Sequence, residues 1–201
     1  MKIIILGGFL GSGKTTALLS LARFLVTAST TDSATKVAIL ENEIGEVGID
    51  DKMLATSGFS VSNLFAGCAC CTVAGELHNA AKRLRTELAP EWLIVEATGL
   101  AFPGTMRDNL AESLGITARI IVLADAKRWT RLVNAMEHLL SAQLAGADAV
   151  LINKCDLSDA ESLTAIEKQI ELYAPQATTL RVSALLGIED KAWQIATGIG
   201  G

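Results

Sequence analysis

The residues best equipped for chemistry lie near the amino terminus. Gly8-Phe9-Leu10-Gly11-Ser12-Gly13-Lys14-Thr15 directly follows the apolar run Ile3-Ile4-Ile5-Leu6 and fits G-x-x-x-x-G-K-[ST], a phosphate-binding loop. Gly8, Gly11 and Gly13, with Ser12 between the last two, let the backbone curl so that successive N–H groups point inward and form a concave anion site. Lys14 adds a positive charge for terminal phosphates, and the Thr15 hydroxyl is placed to ligate Mg²⁺. Thr16 continues into a helix whose positive dipole end faces the same place.

A second signal sits far along the chain. Asn153-Lys154-Cys155-Asp156 follows the apolar stretch Ala149–Ile152 and fits N-K-x-D. An Asp carboxylate can accept two hydrogen bonds from guanine, from N1–H and from the exocyclic amine. Adenine offers neither in that arrangement, so the wrong base leaves an acceptor unpaired. The Lys154 stem would lie over the base plane, and Asn153 would tie loops together. Ser183-Ala184 is the expected backbone contact on the base side. These features point to GTP and GDP with Mg²⁺ as the ligands.

Leu93-Ile94-Val95-Glu96-Ala97-Thr98-Gly99 puts an acid at the carboxyl end of an apolar strand, where α/β sheets place ligands. Glu96 suits the Mg²⁺ water shell or the attacking water. Gly99 suits a close approach of its N–H to the γ-phosphate. Asp125 ends Ile120–Ala124 in a similar position, with an ordinary strand-end role equally open.

Three of the four cysteines fall within Cys68-Ala69-Cys70-Cys71. Clustered soft thiolates favour Zn²⁺, Cu(I) or another thiophilic ion. Neighbouring strand residues point oppositely, so convergence needs a bent loop, which Gly67 permits. A fourth ligand would be water, a carboxylate such as Glu43, or a thiolate from a second subunit. Zn²⁺ fits best on softness, with Co²⁺ and Ni²⁺ open. Cys155, His78 and His138 read as ordinary residues. Glu41–Asp50 (ENEIGEVGID) is an acidic loop whose carboxylates make sense beside a triphosphate through a metal, or as a segment that orders when Mg²⁺-nucleotide binds.

Alternating strand and helix patterns must position these groups. Strands are expected at Lys2–Leu6, Lys36–Leu40, Val61–Phe65, Trp92–Glu96, Ala118–Asp125, Asp148–Asn153 and Thr179–Val182. Helices are expected at Thr16–Thr27, Val73–Leu88, Thr105–Leu114, Trp129–Ala145, Ser158–Tyr173 and Ile188–Thr197. Ser158 and Glu161 resemble a capping box. Such alternation gives an α/β fold of three layers, a mostly parallel central sheet flanked by helices.

The 201 residues suffice for one domain, expected to span the whole chain. With 17 basic against 22 acidic residues the net charge is −5, and no clustered basic surface suggests nucleic acid as a partner. No apolar run approaches a membrane span, and the start does not read as a signal peptide. A cytoplasmic location with reduced thiols is the expectation.

Gly8–Thr16, Glu41–Asp50, Gly67–Thr72 (GCACCT), Glu96–Pro103 (EATGLAFP) and Asn153–Asp156, in this order, resemble the CobW/HypB/UreG class of P-loop GTPases, most of all its CobW-type metallochaperone branch. The resemblance implies a P-loop NTPase fold and slow GTP hydrolysis coupled to delivery of a transition metal or metallocofactor. Lys14 and Glu96 would serve catalysis, and Glu96 matches the glutamate this class uses where many P-loop proteins carry aspartate. The resemblance also implies Cys68, Cys70 and Cys71 as metal ligands with Glu43 nearby, a client metalloenzyme or cofactor-assembly protein as partner, and a nucleotide-dependent homodimer. Typical CobW-type proteins carry a further C-terminal domain, whereas these 201 residues are expected to form the GTPase core alone, and they contain no histidine-rich tract. The alternative is a regulatory GTPase escorting a cofactor-dependent enzyme, such as a corrinoid (cobalamin) protein, without carrying metal. An ATP-using small-molecule kinase is disfavoured by Asn153–Asp156.

Overall fold

A computed structural model describes residues 1–29, 36–41, 59–63 and 73–200. Among these residues the strands β1 (Lys2–Gly8), β2 (Val37–Glu41), β3 (Phe59–Asn63), β4 (Trp92–Glu96), β5 (Arg119–Asp125), β6 (Ala149–Asn153) and β7 (Thr178–Arg181) form one sheet in the order β3-β2-β4-β1-β5-β6-β7. Every described ladder is parallel. The inner strands are near-continuous Val, Ile, Leu and Ala because both faces of a parallel sheet are covered.

The helices are α1 (Lys14–Ala28), α2 (Val73–Glu87), α3 (Pro103–Leu114), α4 (Trp129–Leu144), α5 (Ala160–Tyr173) and α6 (Asp190–Thr197). The alternation along β1 sorts them into two layers. Ile4 and Leu6 join a core with Leu18, Leu21 and Leu25 of α1 and Trp193 of α6. Ile3 and Ile5 join the opposite core, with Leu77, Leu110, Leu144 and Ile166 from α2 to α5. This is the three-layer α/β architecture that the alternating pattern implies.

Strand order also explains where a ligand can sit. β1 lies between β4 and β5, with Leu6 opposite Glu96 on one side and Gly8 opposite Leu123 on the other. The chain leaves β1 toward β2 and later crosses to β5, so the crevice at the carboxyl end of β1 is a topological switch point.

Element boundaries differ from expectation where local chemistry overrides periodicity. α3 begins at Pro103, at the first helical position, where the missing N–H costs nothing, and not at Thr105. It ends on Gly115, left-handed at φ 66°, whose N–H reaches Ala111 O. The cap of α5 is Asp159, not Ser158: its carboxylate accepts the Ser162 N–H at 2.8 Å and the Ser162 hydroxyl at 2.9 Å. β3 runs Phe59–Asn63, earlier than Val61–Phe65, because its register is set residue by residue against Val37–Glu41.

Candidate nucleotide site

The loop from Gly8 to Thr15 is held by its own backbone. Ser12 N–H donates to Phe9 O at 3.0 Å, and Lys14 Nζ reaches the same carbonyl at 3.4 Å. Gly8, Gly11 and Gly13 adopt φ of 137°, 74° and 95°, which side-chain-bearing residues rarely adopt. Space matters as well: a Cβ at Gly8 would stand 2.6 Å from Leu123 O, and one at Gly13 2.4 Å from Asn153 Nδ2. Ser12 and Lys14 are buried, while Thr15 and Thr16 are exposed at the start of α1.

The N-cap of α1 is Gly13, which supplies no side-chain hydrogen bond, and the first turn holds no acid. Helix N-termini carry N–H groups without intrahelical acceptors and a positive dipole end. A helix start lacking a side-chain cap, preceded by left-handed glycines and carrying a lysine, has the donor set of a phosphate site.

Three side chains at the carboxyl ends of β5 and β6 hold the shape of this loop. Asn153 Nδ2 donates to Ser12 O at 2.7 Å, while its Oδ1 accepts the Ala184 N–H at 2.8 Å. Lys154 Nζ donates to Gly11 O and to Asp125 Oδ2, both at 2.7 Å. Arg128 donates from Nη2 to Leu10 O at 2.6 Å and from Nε to Asp125 Oδ2 at 2.7 Å. Asp125 is thus the buried carboxylate that orients two cations over the outer carbonyls of the loop. Of its two readings, strand-end acid or ligand acid, the geometry supplies a third: anchor of Arg128 and Lys154. Arg128 was not legible as a site residue, since its contact with Leu10 spans distant parts of the chain.

The segment expected to face the base is a second loop. Lys154 is left-handed at φ 63° and starts a short 3₁₀ turn, Cys155–Leu157, that carries Asp156. Cys155 N–H donates to Val182 O at 3.2 Å, fixing this turn beside Ser183 and Ala184. Ser183 and Ala184 are buried and Asp156 is exposed, so a carboxylate faces solvent next to buried backbone. Leu185 and Leu186, 86% and 76% exposed, follow immediately.

Glu96 is buried at the end of β4, in register with Leu6 of β1. The chain then turns back along the phosphate loop: Ala97 N–H donates to Leu6 O at 3.0 Å, and a Cβ at Gly99 would stand 2.8 Å from Leu10 N. Glu96, Gly99 and the phosphate loop therefore occupy one end of the sheet. A buried amide, Gln143 of α4, donates to Gly99 O at 2.7 Å. Sequence reasoning missed it, although a glutamine three residues after Leu140 is a polar residue on a core face.

The thiolate cluster Cys68, Cys70 and Cys71, and Glu43 with the acidic segment around it, lie outside the described residues. Among the described residues no group of three or more His, Cys, Asp or Glu side chains could hold a metal ion. Cys155 is a partly buried free thiol against the core, and His138 is exposed on α4. No described helix is long and apolar enough to cross a membrane.

A parallel sheet with its phosphate loop at the switch point, flanked by an N-K-x-D turn, defines a P-loop nucleotide-binding fold. The chain belongs to the CobW/HypB/UreG family, whose nucleotide-binding-domain model matches residues 2–181. It is similar to the zinc chaperone YeiR of Escherichia coli, 34% identical over 166 residues that make up 80% of this chain and 48% of that protein. It is also similar to the zinc chaperone YjiA of Escherichia coli, 30% identical over 199 residues, 94% of this chain and 60% of the other. The chain thus spans roughly half to three-fifths of those relatives. Among solved structures it resembles the hydrogenase maturation factor HypB of Archaeoglobus fulgidus, with TM-score 0.69 and 20% identity over 100% of this chain and 89% of that one. Zn(II)-bound YjiA GTPase of Escherichia coli is similar too, with TM-score 0.67 and 23% identity over 99% of this chain and 62% of the other. At these identities the structural likeness concerns the fold.

Proposed function

We propose that this chain is a GTP-binding, GTP-hydrolysing metallochaperone unit that couples nucleotide state to binding and delivery of a transition metal, with Zn²⁺ the preferred cargo. The observation that supports it most is the meeting, at one sheet end, of the Gly8–Thr15 loop, the Asn153–Asp156 turn, Ser183-Ala184 and Glu96. Family membership and relatives named zinc chaperones add weight to the cargo.

In this reading the amides of Gly11, Ser12, Gly13, Lys14, Thr15 and Thr16 cradle the phosphates, and Lys14 neutralises the charge on the terminal ones. Asp156 selects guanine. Ser183 and Ala184 contact its edge. Gly99 offers its N–H to the γ-phosphate. Thr15 and Glu96 would hold Mg²⁺, which when bound draws charge from the β- and γ-oxygens. Hydrolysis forms a bond from water oxygen to the γ-phosphorus, breaks the bond to the β–γ bridging oxygen, and releases GDP, phosphate and a proton. Catalysis here is positioning and electrostatics, so turnover is slow until a partner completes the site. Cys68, Cys70 and Cys71, with Glu43 as a further ligand, carry the cargo for a client metalloenzyme in the cytoplasm, and GTP-bound copies pair as homodimers.

Titration of metal-free, reduced protein with Zn²⁺, Co²⁺ and Ni²⁺ tests the cargo. Tight binding that a Cys68/Cys70/Cys71→Ser triple variant loses is the expected result. Equal binding by both proteins overturns metal carriage and leaves a regulatory GTPase that escorts a cofactor-dependent enzyme.

A further inference from the structure

Behind the Gly99 segment that follows β4 stands a buried side chain that no motif contains. Gln143 is 1% exposed, set between Leu140 and Leu144 on the core face of α4. Burying a primary amide there is costly unless it is hydrogen-bonded. Its Nε2 answers that cost by donating to Gly99 O at 2.7 Å, across a large sequence separation. Its Oε1 is buried without a hydrogen-bond partner among the described residues. The donor, through its contact with Gly99, is therefore the only polar part of this amide that the described residues satisfy.

Gly99 is confined on its other side by the phosphate loop. A Cβ at this position would stand 2.8 Å from Leu10 N and 3.3 Å from Leu10 Cα. The preceding carbonyl is also held, since Ala101 N–H donates to Thr98 O at 3.1 Å. Both peptide planes that flank Gly99 thus have their carbonyl oxygens tied down. In a trans peptide the N–H of one residue lies opposite the C=O of the residue before it, so the Ala101 bond to Thr98 O sets the direction of the Gly99 N–H, while the Gln143 bond to Gly99 O sets that of the Leu100 N–H and fixes the carboxyl side of Gly99.

We infer that Gln143 is a positioning residue that aims the Gly99 segment at the γ-phosphate and so sets the preference for GTP over GDP. This rests on the reading that Gly99 serves the γ-phosphate. Arg128, at the other end of α4, grips the phosphate loop itself through Leu10 O. Its loss should weaken both nucleotides alike, because the inner phosphates are common to them. Gln143 acts only on the segment beside the phosphate that GDP lacks.

The test compares Gln143→Met, which keeps the volume and removes the donor, and Gln143→Glu, which keeps the shape. Affinities for a non-hydrolysable GTP analogue and for GDP are measured with the full chain, alongside the GTPase rate and the thermal midpoint. The expected result is loss of about tenfold in analogue affinity with GDP affinity held within about twofold, as for one buried hydrogen bond. An unchanged ratio of the two affinities overturns the inference. So does equal loss of both nucleotides in both variants, folded or not, because Gln143 is then a packing residue. Wild-type protein that binds no guanine nucleotide would instead overturn the nucleotide reading itself.

Discussion

Asn153 and Ser12 are joined by a 2.7 Å hydrogen bond from the Asn153 amide to the Ser12 carbonyl, between β6 and the phosphate loop. The same side chain accepts the Ala184 N–H at 2.8 Å, so one buried amide couples the phosphate and base loops. Asn153→Ala strands both Ser12 O and the Ala184 N–H. Leaving buried polar groups unpaired costs about 1–3 kcal/mol each, much of it felt by the free protein as lost stability. The share felt only with nucleotide bound, about 1.4–2.8 kcal/mol, should lower affinity for GTP and GDP together by roughly tenfold to a hundredfold. Fluorescent-nucleotide titration measures this. Retention of wild-type affinity for either nucleotide would contradict the coupling.

The glycines of the phosphate loop should differ in tolerance according to what surrounds them. Gly13→Ala places a Cβ 2.4 Å from Asn153 Nδ2 at a φ of 95°, which displaces the amide just described. Gly11→Ala meets only the end of the Arg128 side chain, at 3.2 Å, which need give by no more than a few tenths of an ångström. Both pay the cost of a left-handed conformation, of order 1 kcal/mol. Gly13→Ala should therefore lose far more nucleotide affinity and more thermal stability than Gly11→Ala. Calorimetry and titration on the pair check the order.

These contrasts mark how much could be read from the chain alone. Gly8–Thr15 and Asn153–Asp156 stand out because the residue types suited to phosphate and guanine fall at short fixed spacing, and the structure brings the two segments together. Strands such as Trp92–Glu96 were legible because burial on both faces forces continuous apolar runs. Arg128 and Gln143 were not, since each acts on the loop through a carbonyl that carries no sequence label. Asp125 stands out in the sequence only for its place at a strand end, because its task of orienting Arg128 and Lys154 depends on a side chain brought in from β6. The cap of α5 was misplaced by one residue because Ser158 and Asp159 are both good capping types, and only the backbone decides between them.

Acid should loosen the β7 edge of the sheet. Glu167 of α5 accepts from Arg181 Nε and Nη2 of β7, both at 2.7 Å. Hydrogen bonding from Arg181, helped by its charge, holds the Glu167 carboxyl below its ordinary value of 4.5. A carboxyl depressed in the folded state stabilises the fold above its unfolded pKa and loses that contribution as pH falls through the folded pKa. The pair is about one-third exposed, so its effect is small and screened by salt. Glu167→Gln should have a slightly lower melting temperature than wild type at pH 7, with the gap closing at acid pH and at high salt. Thermal scans across pH check this, and a gap that widens in acid would contradict the sign.

Base selection should rest on Asp156 alone among the residues of the N-K-x-D turn. Asn153 and Lys154 are engaged with the phosphate loop, whereas Asp156 is exposed on the 3₁₀ turn beside Ser183 and Ala184. Guanine offers a carboxylate two donors, N1–H and the 2-amine, and hypoxanthine offers only N1–H. Wild-type protein should therefore prefer GTP to inosine triphosphate by about tenfold, the worth of one hydrogen bond to a charged group. Asp156→Ala should bind both weakly and with nearly equal affinity, because the group that counts the donors is gone. Its circular dichroism should match wild type, since the side chain supports no part of the core. An Asp156→Ala protein that keeps the GTP preference would place base recognition elsewhere.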